Sequence, residues 1–162
     1  MTNLAVRVIG ADRPGITADL MSTLAALEAD LEDLEQVLVR QRLILAAVVA
    51  TDRPDSVRRE LAAFGARHGL SVQLDEVADA GTQPAETQIV TVLAPTITAA
   101  ALEIITDTLG SLGANIDRIV RLARYPVYCY ELRVSGADAE GIRSAVTAAG
   151  AAARVDVAVQ RE

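Results

Sequence analysis

The second half of this chain repeats the first. Shifted by 85 positions, Ile105 falls on Leu20, Leu109 on Leu24, Leu112 on Leu27, Ala114 on Ala29, Ile116 on Leu31 and Ile119 on Leu34. Apolar positions coincide while the residues between them do not, the pattern left by two copies of one core. Each copy has about 75 residues, near the lower size at which a lone hydrophobic core is sufficient. Units this small gain stability by packing against a sibling or a second chain.

Each copy alternates between two periods. β-rich runs at 4–9, 34–40, 43–50 and 71–77 enclose two helical stretches. One carries Ile16, Leu20, Leu24 and Leu27 on one face behind Asp12 and Pro14. The other carries Val57, Leu61 and Phe64, starts near Pro54 and closes at Gly69. After a polar, small-residue segment with Gly81 and Pro84, the same β-α-β-β-α-β order returns. Its strands are expected at 88–93, 116–123, 127–135 and 154–159, and its helices at 98–112 and 138–150. These orders predict an α+β fold: two ferredoxin-like βαββαβ modules in tandem, at 1–78 and 88–162, joined by a linker at 79–87. Each module is expected to have an antiparallel four-stranded sheet with both helices on one face. The nearly unbroken apolar run Leu43-Ile44-Leu45-Ala46-Ala47-Val48-Val49 predicts that both faces of its strand are covered, so that sheets or edges pack against another module or a second copy.

Charge and composition narrow the function. With 22 acidic against 15 basic residues and a net charge of -7, the surface repels nucleic-acid backbones and anionic lipids. An aromatic content of 2% without tryptophan gives few platforms for stacking bases. Neither nucleic acid nor membrane is an expected partner. The apolar runs are too short to span a bilayer and no basic-then-apolar leader opens the sequence, so a cytoplasmic location is the expectation. The single cysteine, Cys129, reads as a buried, inert thiol.

The loop Gly10-Ala11-Asp12-Arg13-Pro14-Gly15-Ile16, between the first strand and first helix, resembles the ligand-binding loop of ACT domains. The runs Leu34-Glu35-Gln36-Val37-Leu38-Val39-Arg40 and Gly113-Ala114-Asn115-Ile116-Asp117-Arg118-Ile119, with Arg124-Tyr125-Pro126-Val127, are similar to the N-terminal tandem ACT region of actinobacterial-type phosphoserine phosphatases. The resemblance covers the whole chain. It implies a regulatory region of an L-serine biosynthetic enzyme that binds a small amino acid, L-serine first and glycine as another possibility, and forms a homodimer through its ACT modules. The haloacid dehalogenase-type catalytic domain of such enzymes carries an Asp-x-Asp-x-Thr or Val motif, which does not occur here. No catalytic residue and no cofactor are therefore expected in these residues, and Mg²⁺ would belong only to the missing domain. A freestanding regulator similar to glycine cleavage system repressors is the alternative.

An amino-acid zwitterion requires a site that answers both a carboxylate and an ammonium. The start of the first helix offers free N–H groups at its positive dipole end, and Gly15 allows close approach to them. Asp12 can cap that helix or meet the ammonium, and Pro14 can equally be an ordinary first-turn residue. The resemblance places the second wall at the turn before a partner module's second strand. There Asn115 offers a donor and an acceptor, flanked by Gly113, Ile116 and Asp117; Gly113 is also a natural helix C-cap. The halves are not equivalent: Ile97-Thr98-Ala99-Ala100 stands where the first half has Asp12-Arg13-Pro14-Gly15, and Asp30 stands where the second has Asn115. The expected ligand site is therefore composite, with Asp12, Arg13, Pro14, Gly15 and Ile16 facing Gly113, Asn115, Ile116 and Asp117 of another module.

Other features read as structural. His68 ends a helix and is expected to interact with its terminal carbonyls. One histidine and one distant cysteine make no metal site, and Glu28, Asp30, Glu32, Asp33 and Glu35 lack the glycine and ligand order of a calcium loop. Tyr125, Tyr128 and Tyr130 are expected to pack at a module or subunit boundary.

Overall fold

A computed structural model describes residues 1–78 and 86–162 as two compact units. Unit 1 runs β1 (Thr2–Ala11), α1 (Ile16–Ala26), β2 (Asp30–Val39), β3 (Arg42–Thr51), α2 (Pro54–His68) and β4 (Ser71–Val77). Unit 2 repeats the order with β5 (Thr87–Ala94), α3 (Ala99–Ser111), β6 (Asn115–Arg124), β7 (Tyr128–Ser135), α4 (Ala139–Ala153) and β8 (Asp156–Arg161). The sheets are antiparallel and ordered β2-β3-β1-β4 and β6-β7-β5-β8. This is the ferredoxin-like βαββαβ arrangement, made twice. Most of the segment expected as a linker lies outside the described residues, and Thr87, assigned to its end, opens β5 instead.

Alternation along the central strands builds the cores. Leu4, Val6 and Val8 of β1 point to the helix side and pair with Val49, Ala47 and Leu45 of β3. Ile16, Leu20 and Leu24 of α1, with Val57, Leu61 and Phe64 of α2, cover that face. Unit 2 does the same with Val90, Val92, Leu132 and Val134 beneath Ile105, Leu109, Ile142 and Val146. Gly65 and Gly150 occupy equivalent helical positions. A Cβ on Gly65 would come within 2.9 Å of the Leu70 carbonyl oxygen, and one on Gly150 within 3.1 Å of that of Val155, so both helices sit close to the strand that follows.

Within unit 1 the helices cover one face of β3, and the cover expected for the other face is a second module or copy rather than the unit itself. Leu43, Leu45, Ala47 and Val49 are buried, whereas Arg42, Ile44 and Ala46 face outward and are exposed. The second face is not covered by the unit's own helices; it carries exposed Ile9, Val37 and Ile44, while Asn3 and Ala50 at its far end are buried. The tyrosines divide as well. Tyr130 packs against unit 2's own core, while Tyr125 is 88% exposed in the turn before β7. Cys129 is buried.

One core position is mismatched between the units. Gln88 pairs with Val134 on β7 as Leu4 pairs with Val49 on β3, so its amide occupies the place of a fully buried leucine. It is 1% exposed, and neither its Nε2 nor its Oε1 has a hydrogen-bond partner among the described residues. A buried unpaired amide costs about 1–3 kcal/mol. Gln88→Leu should therefore raise the unfolding free energy by roughly that amount, read as a higher denaturant midpoint; an unchanged or lower midpoint would mean that Gln88 has a partner.

Candidate functional site

The residues expected to bind ligand lie at the β1–α1 loop and first residue of α1 in unit 1, and at the α3–β6 turn and start of β6 in unit 2. Each is described within its own unit.

In the loop, Asp12, Arg13, Pro14 and Gly15 are exposed, and Ile16 turns inward into the core. The Asp12 backbone N–H donates to the Gln41 carbonyl at 3.1 Å, tying the loop to the β2–β3 turn. Gly15, with φ of 92°, is the N-cap of α1, a left-handed conformation that favours glycine. Asp12 does not cap the helix, because α1 begins only at Ile16 and no side chain accepts a hydrogen bond at its start. Pro14 likewise precedes the first turn. The first intrahelical bond runs from Asp19 N–H to the Gly15 carbonyl at 2.9 Å, which leaves the N–H groups of Ile16, Thr17 and Ala18 without helical acceptors. These donors and the helix dipole favour an anionic group at the loop.

Unit 2 closes the corresponding position. The Thr98 side chain caps α3, accepting from Ala101 N–H at 3.2 Å. The start of α1 thus lacks the capping hydroxyl that α3 has, and Arg13-Pro14-Gly15 stands in its place.

The turn of unit 2 is a helix C-cap that leads into a β-bulge. Ala114 N–H reaches the Leu109 carbonyl at 3.0 Å and Gly113 N–H the Gly110 carbonyl at 2.9 Å, with Gly113 at φ 74°; these are the paired bonds of a Schellman motif. Unit 1 forms the same bonds at the end of α1 with Glu28, at φ 52°. Beyond Gly113, the register of β6 against β7 shifts between Ile116 and Arg118, so Asp117 is the extra residue of the bulge. Asn115 Nδ2 donates to Asp117 Oδ1 at 2.6 Å across it. This fixes the amide while its oxygen remains a free acceptor for an ammonium. Ile116 packs against the core.

Three neighbours of the loop have no local signal in the sequence. Thr17 Oγ1 donates to Gln36 Oε1 on β2 at 2.7 Å. His68, 55 residues beyond Arg13, accepts from Arg13 Nη2 at its Nδ1 at 2.5 Å, since a guanidinium can only donate. Its ring also lies 4.5 Å from that of Phe64, and its Nε2 lies 3.7 Å from Asp19 Oδ2. The expected contact of His68 with terminal carbonyls is replaced by this loop contact, because α2 returns its C-terminus to the start of α1. No cluster of three or more metal-ligating side chains occurs among the described residues, and no helix there is long and apolar enough to cross a membrane.

Comparison with known proteins agrees with this architecture. The ACT domain family matches residues 2–75 and, independently, residues 86–160. The chain is 40% identical over 161 residues to the phosphoserine phosphatase of Streptomyces coelicolor, covering 96% of this chain and 39% of that protein. It is 35% identical over 166 residues to phosphoserine phosphatase SerB2 of Mycobacterium tuberculosis, covering 98% and 40%. It therefore spans about two fifths of the length of these relatives. Two solved structures share the fold: a protein of unknown function from Galdieria sulphuraria (TM-score 0.82, 18% identity, 99% and 98% coverage) and a protein assigned as a glycine cleavage system transcriptional repressor (TM-score 0.77, 14% identity, 99% and 97% coverage). Fold and loop define a pair of ferredoxin-like regulatory modules. The chain belongs to the ACT domain family, as two ACT domains in tandem.

The two helix starts differ in a way that stability measurements can read. Thr98→Ala should lower stability by about 1 kcal/mol, the usual cost of a lost N-cap. Asp12→Ala should stay within about 0.5 kcal/mol of the unaltered protein, because its side chain caps nothing. Equal losses in thermal or denaturant unfolding would show that Asp12 caps α1 after all.

Proposed function

We propose that this chain is the regulatory, amino-acid-binding region of a phosphoserine phosphatase and that its ligand is L-serine. The observation that carries the reading is the uncapped start of α1 behind left-handed Gly15, in a chain related over nearly its whole length to phosphoserine phosphatases. The unpaired N–H groups of the first turn receive the ligand carboxylate, and Gly15 keeps the approach free of a Cβ. Its ammonium meets the Asn115 oxygen and the Asp117 carboxylate from the unit 2 turn of a second copy. The unit 2 turn offers nothing to the carboxylate, and in the loop only Asp12 faces the ammonium, so the Asn115 and Asp117 oxygens complete the site. Relatedness over 96–98% of the chain favours this reading over a freestanding regulator of the glycine cleavage repressor kind, for which the likeness is one of fold.

The charges of the open edges support pairing of unlike units. β2, the edge of unit 1, exposes Asp30, Glu32, Asp33 and Glu35, while β6, the equivalent edge of unit 2, exposes Arg118, Arg121 and Arg124. Two β2 strands side by side would bring like charges together, and so would two β6 strands; β2 against β6 brings opposite charges together. A homodimer joined this way carries the loop of one copy to the turn of the other. Ligand and dimer then become coupled, since each site belongs to the contact and serine favours the paired state. In a full-length phosphatase, that pairing would change how the catalytic domain is held.

Calorimetry tests the site. L-serine should bind the unaltered chain, and both Gly15→Ala and Gly113→Ala should weaken binding by about tenfold or more, since each forces a Cβ into a left-handed backbone position. Unaltered affinity in both variants, with the fold intact, would reject the composite site.

A further inference from the structure

We propose that His68 is a positioning residue of the Asp12–Ile16 loop and makes the loop conformation, and with it ligand affinity, depend on protonation. The proposal deepens the ligand reading above. Its first test does not require that reading.

The geometry determines the tautomer. Arg13 has only donors to offer, so the Nδ1 that it approaches at 2.5 Å must carry a lone pair, and the ring proton of neutral His68 must lie on Nε2, toward Asp19 at 3.7 Å. The side chain is 15% exposed and its ring lies against Phe64, which limits how far it can move. The charged groups that face it are Arg13 from the loop and Asp19 from α1, with Arg67 adjacent on its own helix. Protonating Nδ1 removes the acceptor and sets a second cation at hydrogen-bond distance from the guanidinium. Arg13 must then leave, while the imidazolium gains attraction to Asp19. The contact that holds Arg13 is thus present when His68 is neutral and lost when it is charged.

The sibling unit isolates the device. At the 85-residue shift, Arg13, Asp19, Phe64 and His68 correspond to Thr98, Ile104, Ala149 and Ala153, so unit 2 lacks every member. These helices pack without the cluster, and it occurs only beside the uncapped loop. Because His68 is the sole histidine, its ring signals can be assigned without ambiguity.

The experiment is an NMR titration of the labelled chain over about pH 8 to 5, the range in which imidazoles change charge. The amides of Arg13, Gly15 and Ile16 should move along the same curve as the His68 ring nitrogens. His68→Gln, which keeps an acceptor for Arg13 without a titrating proton, should leave those amides flat. If that variant does not fold, Arg13→Ala should remove more than half of the Gly15 response while His68 still titrates. Loop amides that stay flat as His68 titrates, or that move equally in His68→Gln, overturn the proposal. Where L-serine binds, affinity should fall about tenfold from the neutral to the protonated form of His68 as the ring signals report it, the scale of one charge-assisted hydrogen bond, and His68→Gln should remove that dependence. Serine that binds at neither pH would count against the ligand reading, and the titration would still decide the role of His68.

Discussion

In each four-stranded sheet, one face is covered by the two helices that its own unit supplies. The split βαβ crossovers place α1 and α2 on the same side, so burial of Leu4, Val6, Val8 and their partners on β3 is complete there. No helix of the unit lies on the other face, and along the β2 edge Gln36 meets α1 by accepting from Thr17 Oγ1. All ten residues of β2 are exposed, including Leu31, Leu34, Val37 and Leu38. A long apolar edge strand tends toward uncontrolled pairing, and charged side chains along it are the usual defence. Here β2 exposes Asp30, Glu32, Asp33 and Glu35, whereas β6 exposes Arg118, Arg121 and Arg124 beside Asp117.

Duplication supplies an internal comparison. Both units have the same layers, the same edge bulge and the same close-packed helical glycine, so these belong to the fold. The differences are local. Thr98 completes the start of α3, whereas Gly15 leaves the start of α1 open. Asn115 is held by Asp117, and unit 1 has Asp30 in the place of Asn115. His68 reaches the first loop, and alanine stands at its equivalent in unit 2. Under the proposed function, the two copies of one scaffold contribute different groups to the zwitterion.

Much of this was legible in the sequence. The repeat, the two periods, Pro54 at a helix start and Gly69 at its end are local or short-range signals, and they determine element order and sheet class. The unbroken apolar run in β3 joins a helix-facing set, Leu43, Leu45, Ala47 and Val49, to a second face that no helix of the unit covers, and composition does not name what covers that face. Asp12 looked like an N-cap because Pro14 suggested an earlier helix start; the chain instead uses left-handed Gly15 and enters the helix at Ile16. Gln36 and His68 could not be placed beside the loop, since only the fold brings residues so distant in sequence together with Thr17 and Arg13. The mismatch of Gln88 with Leu4 was hidden because β5 aligns with β1 at a shift one residue shorter than the rest of the repeat, β7 on β3 included.

The central claim is that one ligand site is shared between the unit 1 loop of one copy and the unit 2 turn of another. Mixing tests it most directly. Gly15→Ala and Gly113→Ala chains, unfolded and refolded together in equal amounts, should form mixed dimers in which one of the two sites combines an intact loop with an intact turn. Serine stoichiometry should then recover to about a quarter of that of the unaltered protein, because half the dimers are mixed and each restores one site of two. No recovery in the mixture, with mixed dimers present, would contradict the account.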